Sequence, residues 1–270
     1  MTPEPIQMAR LLRETAAKFV MPGWHQVRAR HKADGSFVTE TDIASQRHIA
    51  ESLGRAFPDI PLLGEEMTPD EQARLINESE RGLWVLDPLD GTSNYAGGFP
   101  AFSISLALIE KGQPVLGAIL DPVRDECFTA ARGRGACLNE APIRPFAPNP
   151  ALRDCLAVID FKRLPPDTLA KLLGKPCFAS QRNLGSVALE WCWLAAGRFQ
   201  LYLHGGQKLW DYAAGRLIAE EAGAAARHLT PDRLTPSPGL SLDSRLAIAA
   251  ANEELLHAWL ACLGIEPPAP

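Results

Sequence analysis

Leu83-Trp84-Val85-Leu86-Asp87-Pro88-Leu89-Asp90-Gly91-Thr92-Ser93-Asn94 is the stretch on which the reading of this chain turns. Four apolar residues in a row predict a short buried strand. The strand delivers the chain into Asp87 and Asp90, three residues apart, with Pro88 fixing the backbone between them. Gly91 permits a tight approach, and Thr92 and Ser93 suit a helix start, where backbone N–H groups attract anions. Two converging carboxylates beside such a turn are what a metal-bridged phosphate site requires. Hard oxygen donors of this kind favour magnesium or manganese over zinc. The plain alternative is a capped turn, since Asp and Gly serve turns for local reasons. A calcium-binding loop is excluded, because its third position here is Leu89 and its twelfth is Gly98. A phosphatase with an aspartyl nucleophile wants its aspartates two apart, so the spacing of three disfavours that chemistry without eliminating it. The phosphate-cradling glycine-lysine loop is absent.

Outward from this stretch, apolar residues at helical spacing (Met8, Leu11, Leu12, Ala16, Phe19, Val20) predict an amphipathic helix over Ile6–Val27. Lys32-Ala33-Asp34-Gly35-Ser36 reads as a turn. Thr39 and Asp42 are spaced as a capping box ahead of a helix reaching Phe57. Ile60–Leu63 is a short apolar run ending at Gly64-Glu65-Glu66. Phe102–Leu108, Pro114–Leu120 and Glu126–Ala131 read as a strand meander, with Lys111-Gly112-Gln113 as one turn and Asp121-Pro122 as a strand end. In the second half, strands are expected at Ala157–Ile159, Gln200–Leu203 and Leu246–Ala251. Helices are expected at Ser186–Ala196, Leu209–Ala222 (stopped by Gly223) and Glu253–Leu263. Helices interleaved with antiparallel strands, without a strict βαβ rhythm, predict a layered α+β sandwich. Pro267-Pro268-Ala269-Pro270 reads as a frayed tail.

With 270 residues, 46% hydrophobic and 22% charged, the chain has ordinary globular composition. A formal net charge of −5 argues against a general nucleic-acid binder, without excluding a local basic patch. No two of the six cysteines are closer than ten residues, so neither a redox pair nor a zinc knuckle is spelled out. Buried thiols in a reducing compartment are the expectation. With no signal-peptide pattern and no long apolar span, a cytoplasmic protein with no membrane contact is expected.

The sequence Asp87-Pro88-Leu89-Asp90-Gly91-Thr92-Ser93-Asn94, with Pro100 and Ser105 downstream, resembles the first signature of the inositol monophosphatase family. Trp210-Asp211-Tyr212-Ala213-Ala214-Gly215, continuing to Glu221-Ala222-Gly223, resembles the second. Gly64-Glu65-Glu66 resembles the family's acidic pair, and Lys32–Ser36 with Thr39–Asp42 its N-terminal segment. The matches run in family order from Lys32 to Gly223. The resemblance implies the layered αβαβα sandwich of the sugar phosphatases, as one domain over residues 1–270 in two packed halves (roughly 1–150 and 151–270), and a homodimer.

It also implies a lithium-sensitive hydrolase that uses about two to three magnesium ions, with manganese a substitute, on a small phosphorylated metabolite. Glu65, Asp87 and the Leu89 carbonyl would hold one ion; Asp87, Asp90 and Asp211 a second; a third, mostly hydrated ion would lie near Glu65. Gly91 and Thr92 would offer N–H groups to the phosphate. Thr92 and Asp42 would orient the attacking water, with Glu65 also counted as catalytic. Asp90, Gly185, Ser186, His204 and Asp211 would face the substrate. Charge counting agrees, since four carboxylates would repel a phosphate dianion unless divalent ions intervene.

One position departs from the resemblance. Inositol-specific members carry an acid seven positions before the second-signature Asp, where this chain has His204, in the run His204-Gly205-Gly206-Gln207-Lys208. An imidazole cannot accept two hydrogen bonds from a diol as a carboxylate does. His204, Lys208 and Arg182 would suit a more anionic substrate. Inositol monophosphate is the default substrate by resemblance. Bisphosphate nucleotidase, fructose-1,6-bisphosphatase and histidinol-phosphatase activities are the alternatives within the enzyme class. A regulatory protein- or RNA-binding role on the same fold is the alternative outside it.

Overall fold

The computed structural model describes residues 2–26, 30–31, 37–77, 82–147, 151–174, 176–230 and 241–265. The Lys32–Ser36 turn, the Val27 helix end and the Pro267–Pro270 tail lie outside them. Among the described residues, the chain opens with α1 (Pro5–Thr15), a π-turn over Ala16–Val20 and the short α2 (Met21–Gly23). A small hairpin, β1 (Arg30–His31) and β2 (Phe37–Val38), leads into α3 (Glu40–Ala56), β3 (Leu62–Gly64) and α4 (Pro69–Asn77). Next come β4 (Leu83–Asp90), α5 (Thr92–Gly97), β5 (Ser103–Glu110), β6 (Gln113–Asp121), β7 (Glu126–Ala131), β8 (Ala136–Leu138) and β9 (Ala141–Pro142). The second half runs β10 (Leu156–Asp160), α6 (Pro166–Gly174), β11 (Ser180–Arg182), α7 (Val187–Ala195) and β12 (Leu201–Gln207). It closes with α8 (Leu209–Ala222), β13 (Ala225–Leu229), β14 (Arg245–Ala250) and α9 (Glu253–Leu263).

Strands β3 to β9 form a seven-stranded sheet in chain order, and the second sheet has the order β11-β10-β12-β14-β13. The expectation of antiparallel strands holds for most neighbours and fails at three. The pairs β3–β4, β10–β11 and β10–β12 are parallel. The two β10 pairs are made by returning through a helix, as parallel neighbours require.

Both faces of both sheets are covered, which is why their strands read as continuous apolar runs. Along β4 the side chains alternate: Trp84 and Leu86 join Leu12, Ile49 and Ile104 under α1 and α3. Leu83 and Val85 join Trp191 and Leu217 on the other face. Along β14, Ala247 and Ala249 face that same central layer, while Leu246, Ile248 and Ala250 meet Trp259 and Leu260 of α9. The order is therefore helix, sheet, helix, sheet, helix, with α7 and α8 in the middle. Each fully buried large apolar side chain contributes about 1.5–3 kcal/mol. The helices α7 and α8 lie close because Gly215 has no Cβ; one there would stand 2.5 Å from the Trp191 Cβ.

The expectation that all six cysteines stay thiols is corrected. Cys177, ahead of β11, and Cys262, in α9, form a disulfide across 85 residues of sequence. Closing so long a loop contributes about 2–4 kcal/mol by restricting the unfolded chain. Cys127, Cys155 and Cys192 are buried and Cys137 partly exposed, all four outside any disulfide. None of the helices among the described residues is long and apolar enough to cross a membrane.

Candidate active site

Strand β4 solves a geometric problem set by its own sequence. Residues three apart on a regular strand point to opposite faces. Here the pairing with β5 shifts register between Asp87 (opposite Ser105) and Asp90 (opposite Ser103), so three steps on β4 answer two on β5. Such a bulge brings the two aspartates to one side, and Pro88 within it has no N–H to lose from the ladder. Asp87 and Asp90 both line a cavity of about 230 Å³, together with Glu65, Leu89, Gly91, Thr92 and Asp211. Gly91, at φ +85°, makes the turn into α5; a Cβ there would lie 2.9 Å from the Ala101 carbonyl oxygen.

Each acidic group arrives on a different element. Glu65 follows β3, its N–H donating to the Leu86 carbonyl at 3.1 Å, and Gln72 of α4 donates to the Gly64 and Glu65 carbonyls. Asp211 sits in the first turn of α8, where its Oδ2 accepts from the Lys208 N–H at 2.8 Å. Asp90 docks on the start of α7. Its carboxylate accepts from the Val187 and Ala188 N–H groups at 3.2 and 2.9 Å, from the Ser103 hydroxyl at 3.2 Å, and from the Ser186 hydroxyl. Asp42, in the first turn of α3, is completely buried and lines no part of the cavity. It reaches the site through Thr92, whose Oγ1 lies 3.3 Å from Asp42 Oδ1 and 2.9 Å from the Leu89 carbonyl oxygen. The expected capping box is present, with Asp42 Oδ2 accepting from the Thr39 N–H at 2.8 Å and the Thr39 hydroxyl at 2.6 Å.

Crowding Asp87, Asp90 and Asp211 away from water raises their pKa values. Burial is the largest cause for Asp87, held well above the usual carboxylate range, with the charge of Glu65 next. Burial and the charges of Glu65 and Asp90 push Asp211 up to about 8. Asp90 reaches only about 6, because its hydrogen bonds from Ser186, Ala188 and Val187 oppose burial. No three His, Cys, Asp or Glu side chains among the described residues are drawn together into a closed coordination shell. Glu65, Asp87, Asp90 and Asp211 share one cavity wall. An all-oxygen donor set whose ionised form is penalised by burial and mutual repulsion fits a hard divalent cation, which would relieve both penalties.

Other expected residues are placed as follows. Gly185 lines the cavity, while the Ser186 hydroxyl is spent on Asp90. His204 lines the cavity and is nearly buried. Glu66 stands outside the cavity lining, its N–H donating to Gln46. Arg182 and Lys208, the expected cations, stand outside the cavity lining. Arg182 bonds Ser180 and the Gln181 carbonyl, and Lys208 Nζ donates to the Leu242 carbonyl at 3.1 Å. The basic residues on the cavity wall are instead Lys162 and Arg163. Sequence reasoning also passed over Asp160 and Glu190. Glu190 accepts from the Leu184 and Gly185 N–H groups, and burial pushes it up to about 7. Asn94 bridges loops by donating to the Ala101 and Leu184 carbonyls at 2.6 and 2.7 Å. Its place in the signature was the available signal.

A helix–sheet–helix–sheet–helix sandwich with an acidic cavity at the bulged end of its large sheet is the architecture of the sugar phosphatase class. A sequence description of the inositol monophosphatase family matches residues 4–263. Nus factor SuhB of Xylella fastidiosa is 38% identical over 197 residues, covering 71% of this chain and 69% of that protein. Inositol monophosphatase 1 of Solanum lycopersicum is 32% identical over 256 residues, covering 92% of this chain and 90% of that one. Among solved structures, the Thermotoga maritima IMPase superposes with a TM-score of 0.80 at 28% identity, over 96% of this chain and 95% of that one. Mycobacterium tuberculosis SuhB gives 0.75 at 30% identity, over 97% and 98%. The chain belongs to the inositol monophosphatase family.

Proposed function

We propose that this protein is a magnesium-dependent phosphatase that releases phosphate from a small monoester, inositol monophosphate by default, through direct attack of water. The observation that carries the reading is that Glu65, Asp87, Asp90 and Asp211 converge on one cavity beside the Gly91–Thr92 turn. Glu65, Asp87, the Leu89 carbonyl, Asp90 and Asp211 would hold about two to three magnesium ions, or manganese in their place. Bound there, the ions would neutralise charge on the phosphoryl group and lower the pKa of water. The chain's own contributions are positional. The Gly91 and Thr92 N–H groups face the phosphate, and the Thr92 hydroxyl, steered by Asp42, orients the nucleophile. Lithium sensitivity, a homodimer, a cytoplasmic location and the single-domain organisation of residues 1–270 belong to the same proposal.

The test is phosphate release over a panel of sugar, nucleotide and histidinol phosphates, with and without magnesium. Release should require the ion and vanish with a chelator. The ligands must lose protons before they bind, so apparent magnesium affinity should rise from pH 6 to pH 8, as Asp90 (about 6) and Asp211 (about 8) ionise. Undiminished release from metal-free protein would reject the reading.

A second reading is favoured by the name of one relative, Nus factor SuhB. A regulatory role in binding protein or RNA on this fold is compatible with a net charge of −5, because net charge does not describe a local face. A negative net charge therefore does not exclude a nucleic-acid partner. RNA binding at physiological salt that persists in a catalytically inert variant would support this second role.

A further inference from the structure

His204 stands where the inositol-specific pattern has an acid, yet its ring has no nitrogen left for a substrate. Its Nδ1 accepts from the Gly206 N–H at 3.2 Å, so in the neutral ring Nε2 carries the hydrogen. Nε2 lies 3.2 Å from Oδ2 of Asp160 and donates to it. Asp160 is the register partner of His204 across the parallel β10–β12 pair, so a carboxylate stands one strand over from the expected position. Both residues line the cavity.

The local chain is built to hold this arrangement. The β12–β14 pairing is irregular between His204 and Gln207. A Cβ on Gly205 would fall 1.9 Å from the Arg163 carbonyl oxygen, so only glycine lets the Phe161–Arg163 turn seat against β12. Arg163 Nη1 then donates to the Gly206 carbonyl at 2.8 Å, and Asp160 Oδ1 accepts from the Lys162 N–H at 2.9 Å. A carboxylate offers about four acceptor positions, so the Lys162 and His204 bonds leave two for a ligand. Burial, the largest single cause, would raise the Asp160 pKa; the bonds from His204 and the Lys162 N–H, with the nearby positive charge, together outweigh it and lower the group to about 2, ionised and acceptor-only. The positive charge of Arg163 stabilises the resident carboxylates Asp160 and Asp211, which weakens its claim on a second substrate phosphate.

We propose that Asp160 is the residue that accepts hydrogen bonds from substrate hydroxyls on the leaving-group side, with His204 as the residue that positions it. The preferred substrate is then the phosphate monoester of a polyol with adjacent hydroxyls, not a bisphosphate. The inference rests on the phosphatase reading and specifies its leaving-group pocket.

The experiment compares myo-inositol 1-phosphate with cyclohexyl phosphate, the same ring without hydroxyls, at saturating magnesium. Wild-type protein should favour the polyol ester by at least about tenfold in kcat/KM, and Asp160→Asn should lower that ratio about 10- to 100-fold. His204→Leu should raise KM for the polyol ester more than it lowers kcat, and His204→Gln, which keeps an N–H donor, should restore KM. A wild-type protein that hydrolyses both esters equally, or prefers a bisphosphate, overturns the assignment without any variant and leaves the phosphatase reading standing. An unchanged ratio in folded Asp160→Asn also overturns it. Hydrolysis of neither ester overturns the assignment, and only if no other phosphate of the panel is hydrolysed either does the phosphatase reading fall with it.

Discussion

Asp87→Asn is expected to lower kcat for phosphate release by about 10³-fold or more, and to weaken magnesium binding in parallel. The magnitude follows from removing charge where the transition state needs it, where single groups are worth about 10²–10³ and a shared cation ligand counts further. Asp87 is held well above the usual carboxylate range by burial and by the charges of Glu65, Asp90 and Asp211. It therefore feels every other proposed ligand. The substitution is nearly isosteric, and Asp87 Oδ1 accepts one local bond, from the Leu89 N–H at 3.0 Å, which an amide oxygen can keep. Folding should survive. Isothermal titration with magnesium, beside kcat, checks both halves of the expectation. A variant that binds magnesium as wild type does would remove Asp87 from the ligand set.

Thr92→Ala should separate orientation from metal binding. The Thr92 hydroxyl has one hydrogen and two acceptors in reach, Asp42 Oδ1 and the Leu89 carbonyl oxygen. Asp42 itself is fixed by two bonds from Thr39 and cannot follow if Thr92 is lost. Removing the hydroxyl should lower kcat about 10²- to 10⁴-fold, the usual contribution of a positioned proton-handling group. Magnesium affinity should remain close to that of wild type, because the proposed ligands are untouched. Parallel loss of kcat and magnesium affinity would mean that Thr92 supports the Leu89 carbonyl instead of the nucleophile.

The parts of this structure that were legible in the sequence are those written locally. Leu83–Leu86 announced a strand buried on both faces, and Leu209–Ala222 and Glu253–Leu263 were read with the observed bounds because periodicity and a terminal glycine or cap coincide. The first helix reads as one piece, and the chain is helical without a break over residues 5–23, with a π-turn at Ala16–Val20 that periodicity does not reveal. Elements with weak local signals were missed. β13, Ala225-Ala226-Arg227-His228-Leu229, has no β-branched residue, and its strand character comes from pairing with β14. β11 is three residues long and exists because β10 lies beside it.

The candidate site divides in the same way. Asp87, Asp90, Glu65 and Asp211 could be named from motif spacing, but why Asp87 and Asp90 face one side needed the bulge against β5. Asp160 was illegible because its relation to His204 is a parallel register across 44 residues, and the expected strand stopped one residue short of it at Ile159. Ser186 was assigned to substrate by position, whereas its hydroxyl is spent on Asp90. The Cys177–Cys262 bridge was hidden for the same reason, since 85 residues separate two cysteines that only the fold brings together.

Single-turnover hydrolysis in ¹⁸O-labelled water, quenched within the first turnover, tests the central claim most directly. If the carboxylates of this cavity hold cations and water attacks phosphorus, the label enters the released phosphate in that turnover and no phosphate is found on the protein. Asp87 or Asp90 recovered as an acyl phosphate within that turnover would contradict the account and assign one of those aspartates as the nucleophile.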